Sequence, residues 1–221
     1  MSVIREICSL GLLSAPQGDA IWGSPRWDYV ITPGRRRWDS NLKLDLHTHC
    51  REATACPTPS LDIVRDIVAA AKAKGLDGIA ITEHYTGAYG HEVKEIVDRC
   101  LNGEILVIPG QEIDRVFIGV DKGLLHVVEL YLPGDVTFRF IAHPGHPSVR
   151  DLDSHIDGSI HGIEVRNPLH DDEMDEERIR QLAEKHNLIL LANSDAHALS
   201  DIGVFYNEIE IEELCARARG G

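Results

Sequence analysis

The stretch Asp45-Leu46-His47-Thr48-His49-Cys50, DLHTHC, follows a short run of alternating character at Asn41-Leu42-Lys43-Leu44. Side chains two apart on a β-strand face the same side, so His47 and His49 can direct two ring nitrogens at one point. That is the geometry of a chelate, because a divalent ion needs donors converging at about 2.0–2.2 Å. A lone His-x-His is equally compatible with one packed core histidine and one polar strand terminus. The rest of the chain decides between them.

From Leu42 onward, short apolar runs alternate with helical patterns. Strands are expected at 43–46, 78–82, 104–109, 126–132, 138–142, 162–165 and 188–192. Pro59-Ser60 precedes an apolar face at Leu61, Val64, Ile67, Val68 and Ala71, closed by Lys72, Lys74 and Gly75, which marks a helix with its start and stop signals. Further helices are expected at 91–100, 175–186 and 210–219. Strands separated by helices imply parallel βα units, in an open sheet or a barrel. The polar residues favour the barrel, since nearly every strand ends in a potential ligand: His47/His49, Glu83/His84, Glu112, His143, Glu164 and Asp195/His197. Barrel enzymes place their chemistry at the C-terminal ends of the strands.

Composition narrows the function classes. The 221 residues suffice for one α/β domain or two small ones. A net charge of −14 argues against an extended nucleic-acid surface, which requires an excess of Lys and Arg. The five cysteines are odd in number and scattered, as expected for reduced thiols of a cytoplasmic protein. No run approaches the roughly 18 apolar residues that span a bilayer, so no membrane partner is expected. The apolar stretch around Leu10-Leu13 is short and follows Arg5-Glu6, unlike a signal peptide. Residues 1–41 hold all three tryptophans and the run Arg35-Arg36-Arg37 without sustained periodicity, and form a loop-rich extension ahead of a domain spanning 42–221.

Singly, each strand-end histidine has an ordinary explanation as a polar strand terminus or turn residue. Their clustering at apolar strand ends does not, because an unpaired buried imidazole or carboxylate is costly. His91, His155, His161, His170 and His186 lie in polar, loop or helix contexts and are expected to face solvent.

The ordered set DLHTH, AITEH, PGQE, IAHP, IEVRN and NSDAH resembles the PHP family, named for polymerase and histidinol phosphatase. The resemblance covers about residues 42–205. It implies a compact, distorted (β/α)7 TIM-like barrel, without a cap insertion here, holding two or three divalent ions, and an activity in phosphoester hydrolysis. Carried over motif by motif, His47, His49, Asp195 and one oxygen of Glu112 would bind a first ion. Glu112 would bridge to a second, bound also by His126 and His143, and His84 and His197 would hold a third. Asp45 would orient a histidine ring from outside the ligand shell. The acidic residue or histidine that many members place five or six positions after the second His is replaced here by Thr54 and Ala55, leaving Glu52, preferred, or the softer Cys56 for the third ion.

Two cations sharing Glu112 would lower the pKa of a water between them and neutralise the phosphoryl oxygens during in-line attack. Glu112, Asp195 and His197 are thus the candidate catalytic residues, and zinc, manganese or iron is expected rather than magnesium. Cys50 points away from the ions if the strand continues, as a packing residue. Arg51, His146 and Arg166 are candidates for holding the substrate phosphate, or for pairing with the chain's own carboxylates. Only 31 residues separate Glu112 from His143, so the cleft should be open. The expected activity is hydrolysis of a small phosphorylated metabolite or nucleotide, histidinol phosphate among the possibilities. The alternatives are trimming of short oligonucleotide ends and a metal-stabilised protein without turnover. Oligomeric state is left open.

Overall fold

In the computed structural model, residues 41–117, 123–149 and 151–220 are described. The expectation for the extension, residues 1–41, lies outside them apart from Asn41.

Eight strands form one sheet: β1 (Leu42–Asp45), β2 (Gly78–Ile81), β3 (Leu106–Phe117), β4 (Gly123–Leu132), β5 (Val136–Ile141), β6 (Gly162–Arg166), β7 (Ile189–Ala192) and β8 (Asn207–Ile209). Their order is β7-β6-β5-β4-β3-β2-β1-β8. Between the two ends of this order, the Asn207 side chain accepts from Ala192 N at 2.9 Å and donates to Ala192 O at 3.1 Å and Leu44 O at 3.3 Å. Side-chain amides thereby join β7 to β1 where backbone pairing stops, and the barrel is nearly closed.

The α/β barrel is distorted in a specific way. β1, β2 and β3 are parallel, and so are β5, β6 and β7. β3, β4 and β5 instead form an antiparallel meander, and β8 runs antiparallel to β1. The expectation of parallel βα units does not hold here, because the connections within the meander are too short for a crossover helix and only an antiparallel return is possible. β3 also continues past its last pairing with β2, Ile81 with Pro109, and carries on against β4 alone. Beyond the Asp114–His126 pair β3 and β4 run on as a two-stranded ribbon, with Glu112 and His126 at its root.

The helices are α1 (Cys50–Ala53), α2 (Leu61–Ala73), α3 (Ala88–Cys100), α4 (Glu176–His186) and α5 (Ile211–Ala218). Ser60 caps α2 by accepting from Ile63 N, and Asp175 caps α4 by accepting from Arg178 N. Asn187 ends α4 in the left-handed conformation, at φ 55°. The barrel interior is filled by Leu44, Leu46, Val128, Leu130, Phe138 and Phe140, and α5 packs Ile211 and Leu214 against the same cluster. On the outer face of β2 and β3, α2 and α3 bury Val64, Ile67, Val93 and Val97. On the outer face of β4 to β6, α4 buries Ile179 and Leu182.

No helix among the described residues is long and apolar enough to cross a membrane. Among the described residues Cys50, Cys56 and Cys215 are free thiols. Cys50 is fully buried in the cluster beneath α2, and burial pushes its thiol up to about 12, as fits a packing residue.

Candidate metal centre

The loops leaving β1, β2, β5 and β7, together with the β3–β4 ribbon, converge at one end of the barrel. β1 delivers His47 and His49, and Thr48 between them bridges to Ala196 of the final motif. His84 pairs as an isolated bridge with Glu112. Because β4 runs antiparallel to β3, its early residue His126 lies opposite Asp114, at the mouth rather than at a strand end. His143 and Asp195 both sit at positive φ, 26° and 50°. Non-glycine residues held there cost energy and tend to be retained where the site needs them.

Glu112 is the centre of the arrangement. Its Oε1 faces His126 Nδ1 at 2.9 Å and His143 Nε2 at 3.2 Å. Its Oε2 faces His84 Nδ1 at 3.1 Å, His49 Nε2 at 3.4 Å and His47 Nε2 at 3.7 Å. Asp195 Oδ1 lies 3.1 Å from His49 Nε2 and 3.4 Å from His47 Nε2. Glu52 Oε1 is 3.8 Å from His84 Nε2 and its Oε2 is 3.6 Å from His197 Nε2, on the side expected for a third ion. Cys56 points elsewhere, with Sγ donating to Thr58 O.

Three of the histidines have their tautomers set from behind. His47 Nδ1 is 3.0 Å from Glu164 Oε1; an ionised carboxylate only accepts, so the hydrogen is on Nδ1 and Nε2 presents a lone pair to the cluster. His143 Nδ1 donates likewise to His146 O at 2.7 Å, and His197 Nδ1 to Asp195 O at 2.8 Å. His47 Nε2 and His49 Nε2 then stand 3.1 Å apart, facing carboxylate oxygens. Bare lone pairs at such separations repel unless a proton or a cation lies among them. His49 Nδ1, His126 Nδ1 and Asp195 Oδ1 are buried with no well-aligned hydrogen-bond partner among the described residues. Buried polar atoms in native proteins are normally satisfied, and this donor set, nitrogen and carboxylate oxygen within 4.8 Å of one another, fits divalent transition ions.

Electrostatics agree with ionised carboxylates at the centre. Burial opposes ionisation of Glu112, but in the absence of cations the imidazoles of His126, His143, His47 and His84 around it outweigh burial and hold the carboxyl far below the usual range. Asp195 is likewise held down against burial by His47 and His49. In the absence of cations, the His47 imidazole is pushed up against its burial by Asp195 and Glu164. Burial instead pushes His49 down.

The site departs from the sequence expectations at Asp45, at Glu164 with Asn167, and at the histidines expected to face solvent. Asp45 orients no ring. Its carboxylate accepts from Ser194 Oγ at 2.5 Å, Ser194 N at 3.1 Å and Gly203 N at 2.8 Å, pinning the loop after β7, and burial raises it to about 6. The ring-orienting role belongs to Glu164, fully buried, which also accepts from His143 N and from the amides of Asn167 and Asn193. Asn167 donates to Asp195 Oδ2 as well, at 3.2 Å. A carboxylate inside the apolar strand GIEVR was the signal for Glu164; nothing marked Asn167 beyond its place in the motif. Arg166 is ion-paired with Asp171 at 2.8 Å, and His146 contacts Glu173 at 3.0 Å. Of the three phosphate candidates, only Arg51 has an exposed side chain with no hydrogen-bonded or ion-paired partner among the described residues. Finally, the histidines expected to face solvent are all half-buried, and the His170 ring lies 4.5 Å from that of His143.

A nearly closed α/β barrel with a meander in one wall thus carries a histidine-carboxylate cluster at its mouth. Known proteins resemble it in sequence over a short segment and in fold over most of the chain. Residues 173–220 match the family model described as PHP-associated. A provisionally assigned metal-dependent phosphoesterase from Bifidobacterium adolescentis ATCC 15703 superposes with a TM-score of 0.59 at 16% identity, covering 79% of this chain and 96% of that one. PsfC from Pseudomonas syringae PB-5123 superposes with a TM-score of 0.53 at 16% identity, over 80% of this chain and 88% of its own. At that identity these two show the fold. No curated protein matches the chain significantly.

Proposed function

We propose that residues 42–221 form a metal-dependent phosphoesterase acting on the phosphate ester of a small metabolite or nucleotide. The observation that carries this reading is the division of Glu112, with Oε1 turned to His126 and His143 and Oε2 to His47, His49 and His84. One carboxylate thus serves two adjacent sets of nitrogens, as an ion-bridging ligand must.

His47, His49, Asp195 and Glu112 would hold one ion, and Glu112, His126 and His143 a second. His84 and His197, with Glu52 beside both, would hold a third. Divalent ions bound there supply a water of lowered pKa and a positive clamp on the phosphoryl oxygens. The chain's own residues prepare for this chemistry. Glu164 keeps the proton on His47 Nδ1, the His146 and Asp195 carbonyls do the same for His143 and His197, and Asn167 steadies Asp195 Oδ2. His197 Nε2, at the more exposed side of the cluster, would instead act through the third ion, whose positive charge would serve the leaving oxygen. The exposed Arg51 guanidinium is available for a terminal phosphate. With β3, β4 and β5 joined as a meander, no cap is inserted between them among the described residues, which suits a small substrate. A cytoplasmic setting fits the three free thiols among the described residues.

The test is a panel of p-nitrophenyl phosphate, its bis ester, histidinol phosphate, nucleoside monophosphates and short oligonucleotides, each with manganese, zinc and iron. Hydrolysis of a monoester metabolite is expected. Protein that carries no transition metal after reconstitution and cleaves none of these would remove the proposal, and preference for oligonucleotides would replace it with a nuclease.

A further inference from the structure

A second group of ligand-bearing side chains stands outside the cleft. His146 lies on the loop after β5, and His170 and Glu173 on the loop between β6 and α4. Glu173 Oε2 is 3.0 Å from His146 Nδ1 and its Oε1 is 3.4 Å from His170 Nδ1. The two rings stack with centroids 4.2 Å apart and planes 18° apart, and each turns its Nδ1 to the same carboxylate. One potential donor atom from each of the three residues lies within 4.8 Å of the others.

Donors bound to one ion at about 2.0–2.2 Å are separated from each other by about 3.3–3.6 Å in a tetrahedron. The nitrogen–oxygen separations of 3.0 and 3.4 Å therefore require little adjustment to accept an ion. The two loops also meet at their backbones. Gly145 has φ 128°, and a Cβ there would lie 2.3 Å from Glu173 O, so the loop carrying His146 presses directly on the turn carrying Glu173.

We propose that His146, His170 and Glu173 form a separate, exchangeable site for a zinc-class divalent ion at the rim of the barrel. Two imidazoles and a carboxylate are a zinc-type donor set, poorly matched to magnesium or calcium. The His146 and Glu173 side chains are 46% and 49% exposed, so water completes the coordination and the ion exchanges with solvent, unlike one held by the buried donors of the cleft. An ion there would pin the loop whose carbonyl, at His146, fixes the tautomer of His143. Without an ion, both Nδ1–H groups donate to Glu173 and the three residues are an ordinary hydrogen-bonded triad.

The two cases separate in a zinc titration of the metal-depleted full-length chain against a chromophoric chelator. Wild type, Glu173→Gln and His170→Ala are compared, each also in a Glu112→Gln background. The expected result is one zinc equivalent that both rim variants lose or bind more weakly by about tenfold or more. It persists when Glu112 is replaced, and zinc shifts the 15N imidazole resonances of His146 and His170. Equal stoichiometry and affinity in wild type and Glu173→Gln overturns the site. Loss in His170→Ala alone also overturns it, because that ring touches His143 and the effect then belongs to the cleft. Since the readout is bound zinc in a background lacking the Glu112 carboxylate, failure of the phosphoesterase proposal leaves this one standing, and the reverse.

Discussion

Glu164 Oε1 stands 3.0 Å from His47 Nδ1, and both side chains are completely buried. This contact decides which nitrogen of His47 faces the cluster. Glu164→Gln keeps the shape but removes the charge, and its amide can turn an N–H toward Nδ1 and reverse the tautomer. Metal affinity should fall by about 10–100-fold, the usual cost of losing such a partner. Competition with a chelator measures it; unchanged affinity would mean that His47 needs no partner to be a ligand.

Glu112→Gln tests the bridge. With no charge to share between two sets of histidines, the variant should lose about two ions per chain and all measurable turnover. Elemental analysis of the purified protein, alongside the ester panel, gives both numbers. A variant that retained full metal content and activity would show that the histidines alone hold the ions.

Removal of metal should make stability respond to pH in the opposite sense from the loaded protein. Without cations, His47, His84 and His143 have raised pKa values, so their stabilisation is present below 6.5 and is lost as pH rises through the folded values. His49 is shifted the other way, one group against three. Glu112 and Asp195, both depressed, contribute above their ordinary values of 4.5 and 3.8 and lose that contribution on acidification. Chelated protein should therefore be most stable between these limits and weaken toward pH 8, whereas loaded protein gains as imidazoles are freed of protons. Thermal unfolding with and without chelator should show a gap that widens from pH 6 to pH 8; a constant gap would refute the linkage.

How much of this was legible beforehand follows from the physics of each element. Helices with caps and a clear apolar stripe, such as Leu61–Ala73 behind Ser60, were readable because local signals and burial agree. The ligands at strand ends were readable because a charged residue at the end of an apolar run needs a reason. The meander was not, because the choice between parallel and antiparallel pairing depends on connection length and on partners distant in sequence. For the same reason the depth of His126 and Glu112 within their strands was hidden. Asp45 was misjudged because a carboxylate next to a His-x-His pair has two possible directions, and its partners, Ser194 and Gly203, lie about 150 residues away. Glu164 and Asn167 act on the site from behind, through contacts that no local spacing encodes.

Asp45 gives a stability prediction in its new role. Asp45→Ala leaves Ser194 N, Ser194 Oγ and Gly203 N without their acceptor in a fully buried setting. Each buried unsatisfied group costs about 1–3 kcal/mol, so a loss of at least about 3 kcal/mol is expected in denaturant unfolding. Asp45→Asn, which keeps one acceptor oxygen, should lose less. Equal losses for the two would indicate that the charge rather than the acceptor matters.

Gly145 joins the cleft to the rim, and its replacement tests how rigidly His143 is held. At φ 128° an alanine is strained by about 1–3 kcal/mol, and its Cβ would collide with Glu173 O, which has no flexible side chain to move aside. The loop must then lift, carrying away the His146 carbonyl that accepts from His143 Nδ1. Gly145→Ala should remain folded but lose affinity for the ion bound by Glu112, His126 and His143, with little effect on the one bound by His47, His49 and Asp195. Metal titration resolves the two as steps of different affinity. Weakening of both steps to the same degree would mean that the loop supports the whole mouth, and no change in either would mean that His143 is held by Glu112 and Glu164 without it.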